Sequence, residues 1–360
     1  MDGMSAAVAA AIGAAPCLQA ARLSLAALRA RGAHALLLHG PAGTGKWQAA
    51  MAFAGELLCE RPGAAACGQC DSCRLMAAGN HPDLRVIVPD ALAERRPGQG
   101  QEEGEAEAPA AGSETTGKTK PSREIKIDQV RDLVSLSALT AHRGGARVVV
   151  LGPAEALNLP AANALLKGLE EPPPNLVFLL VSDQIDRCLP TILSRCALVR
   201  VPVPPRELAL QWLREQGAGA QAPARLLAAG GAPVAALRGS DDDLPPDLAA
   251  SLVALLRRGA ALEPAEVASA VPRTVAIGPA VDLFQRWGWD YFAYRTGGSL
   301  RYHPADEASF AALARHWRLS CAGAWIDTLV RLRAVADHPL NARSAVEAAL
   351  LDYIESIRAS

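Results

Sequence analysis

One stretch decides how the first half of this chain folds: Leu36-Leu37-Leu38-His39-Gly40-Pro41-Ala42-Gly43-Thr44-Gly45-Lys46. The leucines predict a short buried strand, the glycines a tight turn, and residues 45–58 a helix with apolar residues at core spacing. Residues 40–46 fit the pattern G-x-x-x-x-G-K, in which backbone N–H groups at the start of a helix face one anion and the lysine reaches its outer oxygens. The stretch therefore predicts a nest for phosphate, formed by Gly40, Gly43, Thr44, Gly45 and Lys46.

The residue after Lys46 departs from this pattern. A Ser or Thr hydroxyl stands at that position in chains that hold Mg²⁺, and Trp47 has no oxygen to offer. The sequence thus predicts a phosphate nest with one catalytic part missing, and it leaves open whether ATP or ADP occupies the nest. A glycine-rich turn that binds nothing is the alternative.

Composition limits the size and class of the protein. A chain of 360 residues suits two or three domains, and 50% hydrophobic residues can fill large cores. The formal net charge of −1 excludes a global field that would draw the chain to nucleic acid. The sequence has no uncharged apolar run of about 18 residues and no basic start before an apolar run. We therefore expect neither a membrane span nor a secretory signal, and a cytoplasmic location.

Four of the eight cysteines lie within fifteen residues, at Cys59, Cys67, Cys70 and Cys73. Two overlapping C-x2-C steps and a fourth cysteine are typical of a tetrahedral thiolate site, because each step lets two sulfurs converge on one ion. Four thiolates leave no position for water, so the spacing predicts structural rather than catalytic Zn²⁺. Four unrelated buried or redox cysteines are the alternative.

Residues 90–124 differ in composition from their surroundings. They include eight acidic and five basic residues, five glycines, three prolines and one large aliphatic residue, Leu92. Such a segment cannot bury enough apolar surface to offset the entropy of ordering, so we predict that it is disordered. A binding tail is the functional alternative.

Strands and helices alternate in the first half of the chain. Apolar runs predict strands at residues 84–88, 147–151, 176–181 and 198–203. A helix is predicted at residues 160–171, and another begins at Asp128 and ends near residue 141. We therefore expect an α/β fold with a parallel sheet and helices on both faces.

The strand at residues 147–151 lacks the chemistry of an ATPase. In a phosphate-loop ATPase an acidic pair ends this strand, holds Mg²⁺ and aligns the attacking water. Here Gly152 and Pro153 follow the strand, and Glu155 lies too far along the chain to serve as the catalytic base.

The second half of the chain is predicted to be helical. Residues 204–243 predict a small helical lid, and a proline-containing acidic linker leads into residues 244–360, where helices follow without strands. This last region concentrates aromatic residues at Trp287, Trp289, Tyr291, Phe292, Tyr294, Trp317 and Trp325. On helices such a cluster indicates a core or a subunit interface in preference to stacking on nucleic acid.

Two motifs carry a family resemblance. They are Ala161-Ala162-Asn163-Ala164-Leu165-Leu166-Lys167-Gly168-Leu169-Glu170-Glu171-Pro172-Pro173 and Thr191-Ile192-Leu193-Ser194-Arg195-Cys196. The first resembles the signature helix, and the second the Ser-Arg-Cys motif, of the AAA+ clamp-loader subunits of bacterial DNA polymerase III, which also carry a four-cysteine insert. The resemblance covers roughly residues 20–240. It implies a P-loop AAA+ domain at residues 1–203 with the cysteine insert at 59–73, a lid at 204–243 and a helical collar at 244–360.

Within this family the chain resembles a non-hydrolysing subunit more than a motor. The motor subunits also carry an arginine in a Gly-Ser-x-Arg-Asp pattern, and Val234 stands where that arginine would be. With Trp47 and the Gly152-Pro153 pair, three parts of the hydrolysis site are missing. The implied partners are tau/gamma-type ATPase subunits and a delta subunit in a hetero-pentamer, which places the sliding clamp on primed DNA.

Arg195 is the residue to which the resemblance gives a chemical role. In the family the arginine of the Ser-Arg-Cys motif reaches the γ-phosphate of ATP on a neighbouring subunit, which implies that Arg195 is an arginine finger acting in trans. Ser194 and Cys196 would support the motif. From the residues alone, Arg195 could instead cap a helix or pair with a surface carboxylate.

Two other functions stay open at this point. An ATP-hydrolysing tau/gamma-type motor would need Ser or Thr after Lys46 and an acidic pair after Leu151, and the chain has neither. A zinc-dependent module that binds nucleic acid by itself would need a basic stripe around the cysteines, where only Arg61 and Arg74 lie close.

Overall fold

The computed structural model of the protein describes residues 18–61, 63, 65–93, 122–131, 145–238, 244–336 and 341–359. The Cα atoms group into two compact units, the first comprising Met1–Gly217 with Ala232–Val234 and the second Ala218–Gly231 with Ala235–Ser360. The predicted lid at residues 204–243 is therefore shared between the two units. The division into three domains stays a prediction.

The first unit is built on a single sheet in the part of the chain that the structure describes. Its strands are β1 Ala35–His39, β2 Leu84–Ile87, β3 Arg147–Leu151, β4 Leu176–Ser182 and β5 Ala197–Arg200. Its helices are α1 Gln19–Ala30, α2 Lys46–Leu58, α3 Asp71–Ala78, α4 Asp90–Ala93, α5 Leu159–Glu170, α6 Pro190–Leu193 and α7 Arg206–Glu215.

All five strands pair in parallel, in the order β2-β3-β4-β1-β5. Alternate residues of a strand face opposite sides of the sheet. Accordingly Leu36 and Leu38 of β1 share a core with Phe53 of α2, whereas Leu37 packs in a second core with Leu165 of α5. Parallel strands need helical crossovers that cover both faces, and every residue of β4 is buried as a result. The predicted parallel α/β sheet with helices on both faces is confirmed.

The ends of the segment predicted to be disordered are ordered. Asp90 begins the short helix α4, and the backbone N–H of Ala91 donates to the carbonyl oxygen of Ser122 at 3.0 Å. The side chains of Lys126 and Gln129 each lie 3.2 Å from a carboxylate oxygen of Asp90. These polar contacts, which composition does not reveal, correct the prediction at both ends of residues 90–124. Residues 94–121 lie outside the described residues, as does most of the helix predicted from Asp128.

The chain after residue 217 is helical where the structure describes it. In order the helices are α8 Ala222–Ala228, α9 Pro233–Arg238, α10 Pro246–Arg258, α11 Pro264–Ala270, α12 Ile277–Arg295, α13 Glu307–Leu313, α14 Leu319–Ala334 and α15 Ala342–Arg358. No described helix is long and apolar enough to cross a membrane.

Aromatic side chains form the centre of the second unit. Trp287, Tyr291, Trp317 and Trp325 are each at most 2% exposed, and the ring of Trp317 meets that of Tyr353 edge-on at 5.1 Å. Buried indole N–H groups need acceptors, and that of Trp325 donates to the Ala349 carbonyl oxygen at 2.8 Å. Of the two predicted roles, core or subunit interface, these four residues have the first, whereas Trp289 is 58% exposed and is not part of the core.

Gly40 is required where β1 enters the phosphate loop. Its φ angle is +150°, and a Cβ atom at this position would lie 2.1 Å from the carbonyl oxygen of Val201, in the segment that follows β5. Backbone cannot move aside as the end of a flexible side chain can. Glycine therefore lets the loop pass against the sheet edge next to β1.

We predict that Gly40→Ala destabilises the first unit by about 2 kcal/mol or more, because the added methyl group displaces backbone in a glycine-favouring conformation. Native-state hydrogen exchange of the β1 amides would measure this change. Gly145→Ala is the matched control, since nothing lies within 4 Å of a Cβ atom there. Equal protection in the two variants would contradict the prediction.

Candidate functional site

The phosphate loop has the conformation that its sequence predicts. Gly43 and Gly45 have φ angles of +74° and +98°, and Gly45 caps α2 without any side chain hydrogen-bonded to the helix start. The Thr44 hydroxyl, 1% exposed, donates to the carbonyl oxygen of Pro41 at 3.0 Å and so braces the turn. A left-handed turn that opens a helix presents backbone N–H groups to an anion, so the loop residues fit a phosphate group.

Lys46 already has an anionic partner. Its Nζ atom lies 2.6 Å from a carboxylate oxygen of Asp183, which directly follows β4, and donates to the Pro41 carbonyl oxygen at 2.5 Å. The lysine side chain is 2% exposed, whereas that of Asp183 is 45% exposed. A phosphate group that entered the nest would compete with Asp183 for the lysine charge.

The position of the metal ligand is filled by an indole ring. Trp47 is 7% exposed and lies in the apolar core between α2 and the sheet. Its Cζ3 atom is 3.3 Å from the position of a Cβ atom on Gly152, the first residue after β3. Mg²⁺ requires oxygen ligands, and this packing offers none. The residues therefore do not fit a Mg²⁺ ion held in the manner of a P-loop ATPase.

Glu155 serves the backbone of a neighbouring turn. Its Oε1 atom accepts the N–H groups of Asp183 at 3.0 Å and Gln184 at 3.1 Å. The carboxylate thereby fixes the turn after β4 that carries the partner of Lys46. This contact agrees with the interpretation that Glu155 is not a catalytic base.

Val234 covers the phosphate loop with an apolar side chain. Its N–H donates to the Gly43 carbonyl oxygen at 3.0 Å, and its Cγ2 atom lies 3.2 Å from a Cβ position on Gly45. The side chain is 3% exposed. Val234 stands where the Gly-Ser-x-Arg-Asp pattern of the motor subunits would have its arginine. The phosphate loop therefore contacts a methyl group there instead of a positive charge.

Sequence reasoning did not identify two polar residues of this site, Asp183 and His39. Burial, with smaller contributions from the charges of Arg200 and Lys46, lowers the pKa of His39, so its imidazole is neutral at pH 7. His39 ends β1 beside Ser182, and Asp183 follows β4. Their position in the sequence could have identified them, because both lie at the carboxyl ends of adjacent parallel strands, where α/β sheets bind ligands.

The four cysteines predicted to bind metal come together. Their sulfur atoms all lie within 4.8 Å of one another, and the Cys59–Cys70 and Cys67–Cys73 pairs are each 3.9 Å apart. A tetrahedral ion with bonds of about 2.3 Å would place its sulfur ligands about 3.8 Å apart. The set could therefore hold one metal ion with four thiolates.

Backbone geometry prepares part of this set to bind a cation. The N–H groups of Gln69 and Cys70 lower the pKa of the Cys67 thiol to about 6. The Cys70 sulfur accepts the N–H of Cys73 and caps α3. Burial raises the pKa of the Cys73 thiol, and the charge of a bound ion would act in the opposite direction.

A buried hydrogen-bond chain joins the cysteine segment to α2. His81 is 3% exposed, its Nδ1 atom accepts the N–H of Asp83 at 3.1 Å, and its Nε2 atom lies 2.7 Å from the Ser72 hydroxyl. That hydroxyl donates to the Leu58 carbonyl oxygen at 2.5 Å. His81 therefore has a structural role and is not part of the four-sulfur set.

Arg195 pairs with a carboxylate of its own chain. Its Nε atom donates to Oε1 of Glu170 at 2.6 Å, and Nη2 contacts the same oxygen. Nη1 donates to the carbonyl oxygen of Thr191 at 3.0 Å and to the Ser194 hydroxyl at 3.2 Å. Cys196 is buried. Thus the surface ion pair left open by the sequence exists in the isolated chain, and 34% of the arginine side chain stays exposed.

A comparison with family models matches much of the first unit. A family model described as DNA polymerase III, delta subunit matches residues 19–205. DNA polymerase III subunit delta' of Pseudomonas aeruginosa is 46% identical over 214 residues, 58% of this chain and 56% of that protein. The subunit of the same name from Yersinia pestis is 38% identical over 216 residues, 58% of this chain and 55% of that protein.

A solved structure covers more of the chain at lower similarity. A DNA polymerase III gamma subunit-related protein from Thermotoga maritima is 18% identical to this chain, with a TM-score of 0.43. The alignment covers 94% of this chain and 100% of the Thermotoga protein. The chain spans a little over half the length of the delta' proteins that it matches. The resemblance seen in the motifs is confirmed by these sequence matches.

We predict that Trp47→Ala costs about 3–5 kcal/mol of stability in the first unit, because it empties a buried indole site next to β3. Hydrogen exchange of the β3 amides would report the loss. The control is Trp289→Ala, whose side chain is 58% exposed and whose loss should change stability by no more than about 0.5 kcal/mol. A Trp47 variant as stable as its control would show that the indole does not support the sheet.

Proposed function

This chain belongs to the DNA polymerase III, delta subunit family, and we propose that it is a non-hydrolysing, delta-prime-type subunit of the clamp loader. In this role it helps to place the sliding clamp on primed DNA, in the cytoplasm. The observation that carries the proposal is the packing of Trp47 against Gly152, which puts an indole where an ATPase holds its metal. Similarity to delta' subunits supports the same assignment.

The absent metal ligands are the physical reason for a non-hydrolysing role. Phosphoryl transfer depends on Mg²⁺ to neutralise charge on the β- and γ-phosphate oxygens and on a carboxylate that orients the attacking water. Here Trp47 in the first turn of α2 and Gly152 after β3 stand where those metal ligands would be, and Oε1 of Glu155 accepts backbone N–H groups. The nest of Gly40, Gly43, Thr44, Gly45 and Lys46 stays suited to phosphate, so ATP or ADP would bind there without a metal and in competition with Asp183.

Arg195 is proposed as the residue that acts on a partner. Its Ser-Arg-Cys context, its partial exposure and its planar guanidinium support a trans contact with the γ-phosphate of ATP on a tau/gamma-type subunit. Ser194 positions the guanidinium through its hydroxyl. Cys196 supports the motif from the core, where burial raises the pKa of its thiol to about 12 and keeps it protonated at pH 7.

The remaining assignments follow from the same role. We propose that residues 204–243 act as a lid and residues 244–360 as a collar through which tau/gamma-type subunits and a delta subunit assemble into a hetero-pentamer. The helical second unit, with its aromatic core, is suited to such a scaffold. Contact with the sliding clamp and primed DNA would come through the complex, consistent with a formal net charge of −1.

Zn²⁺ is the metal proposed for the four cysteines. Zn²⁺ favours tetrahedral thiolate sets, and four protein ligands make the site structural. The ion would replace the weak sulfur–sulfur contacts with bonds that join the end of α2 to α3. Its contribution is stability of residues 59–73, with no part in a reaction.

We predict that Cys70→Ser lowers the zinc content of the purified chain from about one ion per chain towards zero, because a hydroxyl is a poor substitute for a thiolate ligand. Elemental analysis by mass spectrometry measures the content. Cys321→Ser, which removes a cysteine far from the set along the chain, should keep its zinc. Retention of zinc by the Cys70 variant would overturn the assignment.

For the proposed finger we predict that Arg195→Ala folds and assembles but loses most of the ATPase stimulation that the chain gives to a reconstituted clamp loader. A trans arginine is worth about 10³–10⁵ in rate at the site that it serves. The measurement is ATP turnover by the complex with clamp and primed DNA present. Arg187→Ala, which removes an exposed arginine bonded to Gln184, is the control. Unchanged turnover in the Arg195 variant would exclude the finger.

A further inference from the structure

We propose that Glu170 is a competing partner that holds Arg195 back on its own subunit, so that a nucleotide on the neighbouring ATPase subunit must displace Glu170 before the arginine can reach it. Glu170 is thus inferred to be a positioning residue that sets how readily Arg195 becomes available. The inference rests on the proposed role of Arg195 and adds the regulation of that role.

The contacts leave the guanidinium no free pair of N–H donors for an anion. The Nε and Nη2 donors, which form one side of the fork, both engage Oε1 of Glu170. On the remaining side Nη1 is tied to the Thr191 carbonyl oxygen and the Ser194 hydroxyl. A phosphate oxygen accepts from the same kind of N–H pair that the carboxylate occupies. One fork edge cannot serve both anions, so a phosphate that takes both donors of this edge must displace Glu170.

The strength of the contact suits a reversible restraint. The side chains of Arg195 and Glu170 are 34% and 49% exposed, so water screens their attraction. Exposed ion pairs of this kind shift an equilibrium by no more than about fivefold. The ion pair therefore increases the fraction of chains in which Arg195 is bound to Glu170, but the contact stays reversible. A multiply charged phosphate can displace the single carboxylate.

The position of Glu170 on its helix is a second reason why its carboxylate favours the contact with Arg195. Glu170 is the last residue of α5, where the helix dipole disfavours a negative charge. The carboxylate thus gains nothing from its own helix, and its favourable contact is the one with Arg195, 25 residues along the chain. This arrangement links the end of the signature helix to the Ser-Arg-Cys motif.

Glu170→Gln is the direct test, because it removes the charge and keeps the shape. Glu171→Gln is the matched control: it removes the neighbouring carboxylate, which forms no ion pair with the described residues. The full-length chain would be combined at saturating concentration with the ATPase and delta subunits, clamp and primed DNA. Turnover would be measured against ATP concentration for Glu170→Gln, Glu171→Gln, Arg195→Ala and the Glu170→Gln/Arg195→Ala double variant.

We expect Glu170→Gln to raise turnover at subsaturating ATP by roughly two- to fivefold, because a larger fraction of the chains then has Arg195 available for the neighbouring nucleotide. The control should match the unmodified chain. The double variant should match Arg195→Ala, since a gain that acts through the arginine vanishes with it. An unchanged or reduced rate in Glu170→Gln, or a gain that persists without Arg195, would overturn the inference.

A second measurement tests the contact without the complex. In the isolated full-length chain labelled at arginine, solvent exchange of the Arg195 Nε–H proton should be at least about twofold faster in Glu170→Gln than in the control. Equal exchange would show that the pair does not form in solution and would overturn the inference. Failure of the proposed finger is recognised separately, because Arg195→Ala would then leave turnover unchanged.

Discussion

The packing of Trp47 against Gly152 is the constraint on which the function of this fold depends. The strand order brings the ends of β1, β3 and β4 side by side, and this edge is where a P-loop fold places phosphate, metal and attacking water. An indole ring between α2 and the end of β3 uses that space for apolar burial. The same contact therefore offers no oxygen ligand for a metal ion at this position.

The surrounding residues are consistent with this replacement. Lys46, which would face the outer phosphates, is neutralised by Asp183, and Glu155 holds the turn that carries Asp183. Val234 closes the loop with a methyl group instead of a charge. The buried charge of Lys46 is thus paired within the chain, as the cost of burying an unpaired charge requires. Arg195, by contrast, keeps a partly exposed charge, and it is the residue proposed to act on a neighbouring subunit.

Local sequence was enough to predict the elements and the clusters that depend on short spacing. The strand-turn-helix around residues 36–46, the parallel sheet and the convergence of the four cysteines are each encoded by residues close together in the chain. The partners of Lys46 and Arg195 were not predicted, because Asp183 and Glu170 reach them only through the tertiary fold. Residues 90–93 were assigned to a disordered segment for the same reason: the side chains of Lys126 and Gln129 that order Asp90 lie more than 30 positions away. Composition describes a segment by itself and carries no information about such partners.

ATP turnover by the purified full-length chain decides whether this P-loop fold lacks the parts needed for hydrolysis. The measurement uses saturating ATP and Mg²⁺, first with the chain alone and then with tau/gamma-type and delta subunits, clamp and primed DNA. No turnover by the chain alone, with turnover in the mixture that depends on its addition, is the predicted result. Steady turnover by the chain alone would show that the chain hydrolyses ATP itself, with Glu155 or another carboxylate holding the metal despite Trp47.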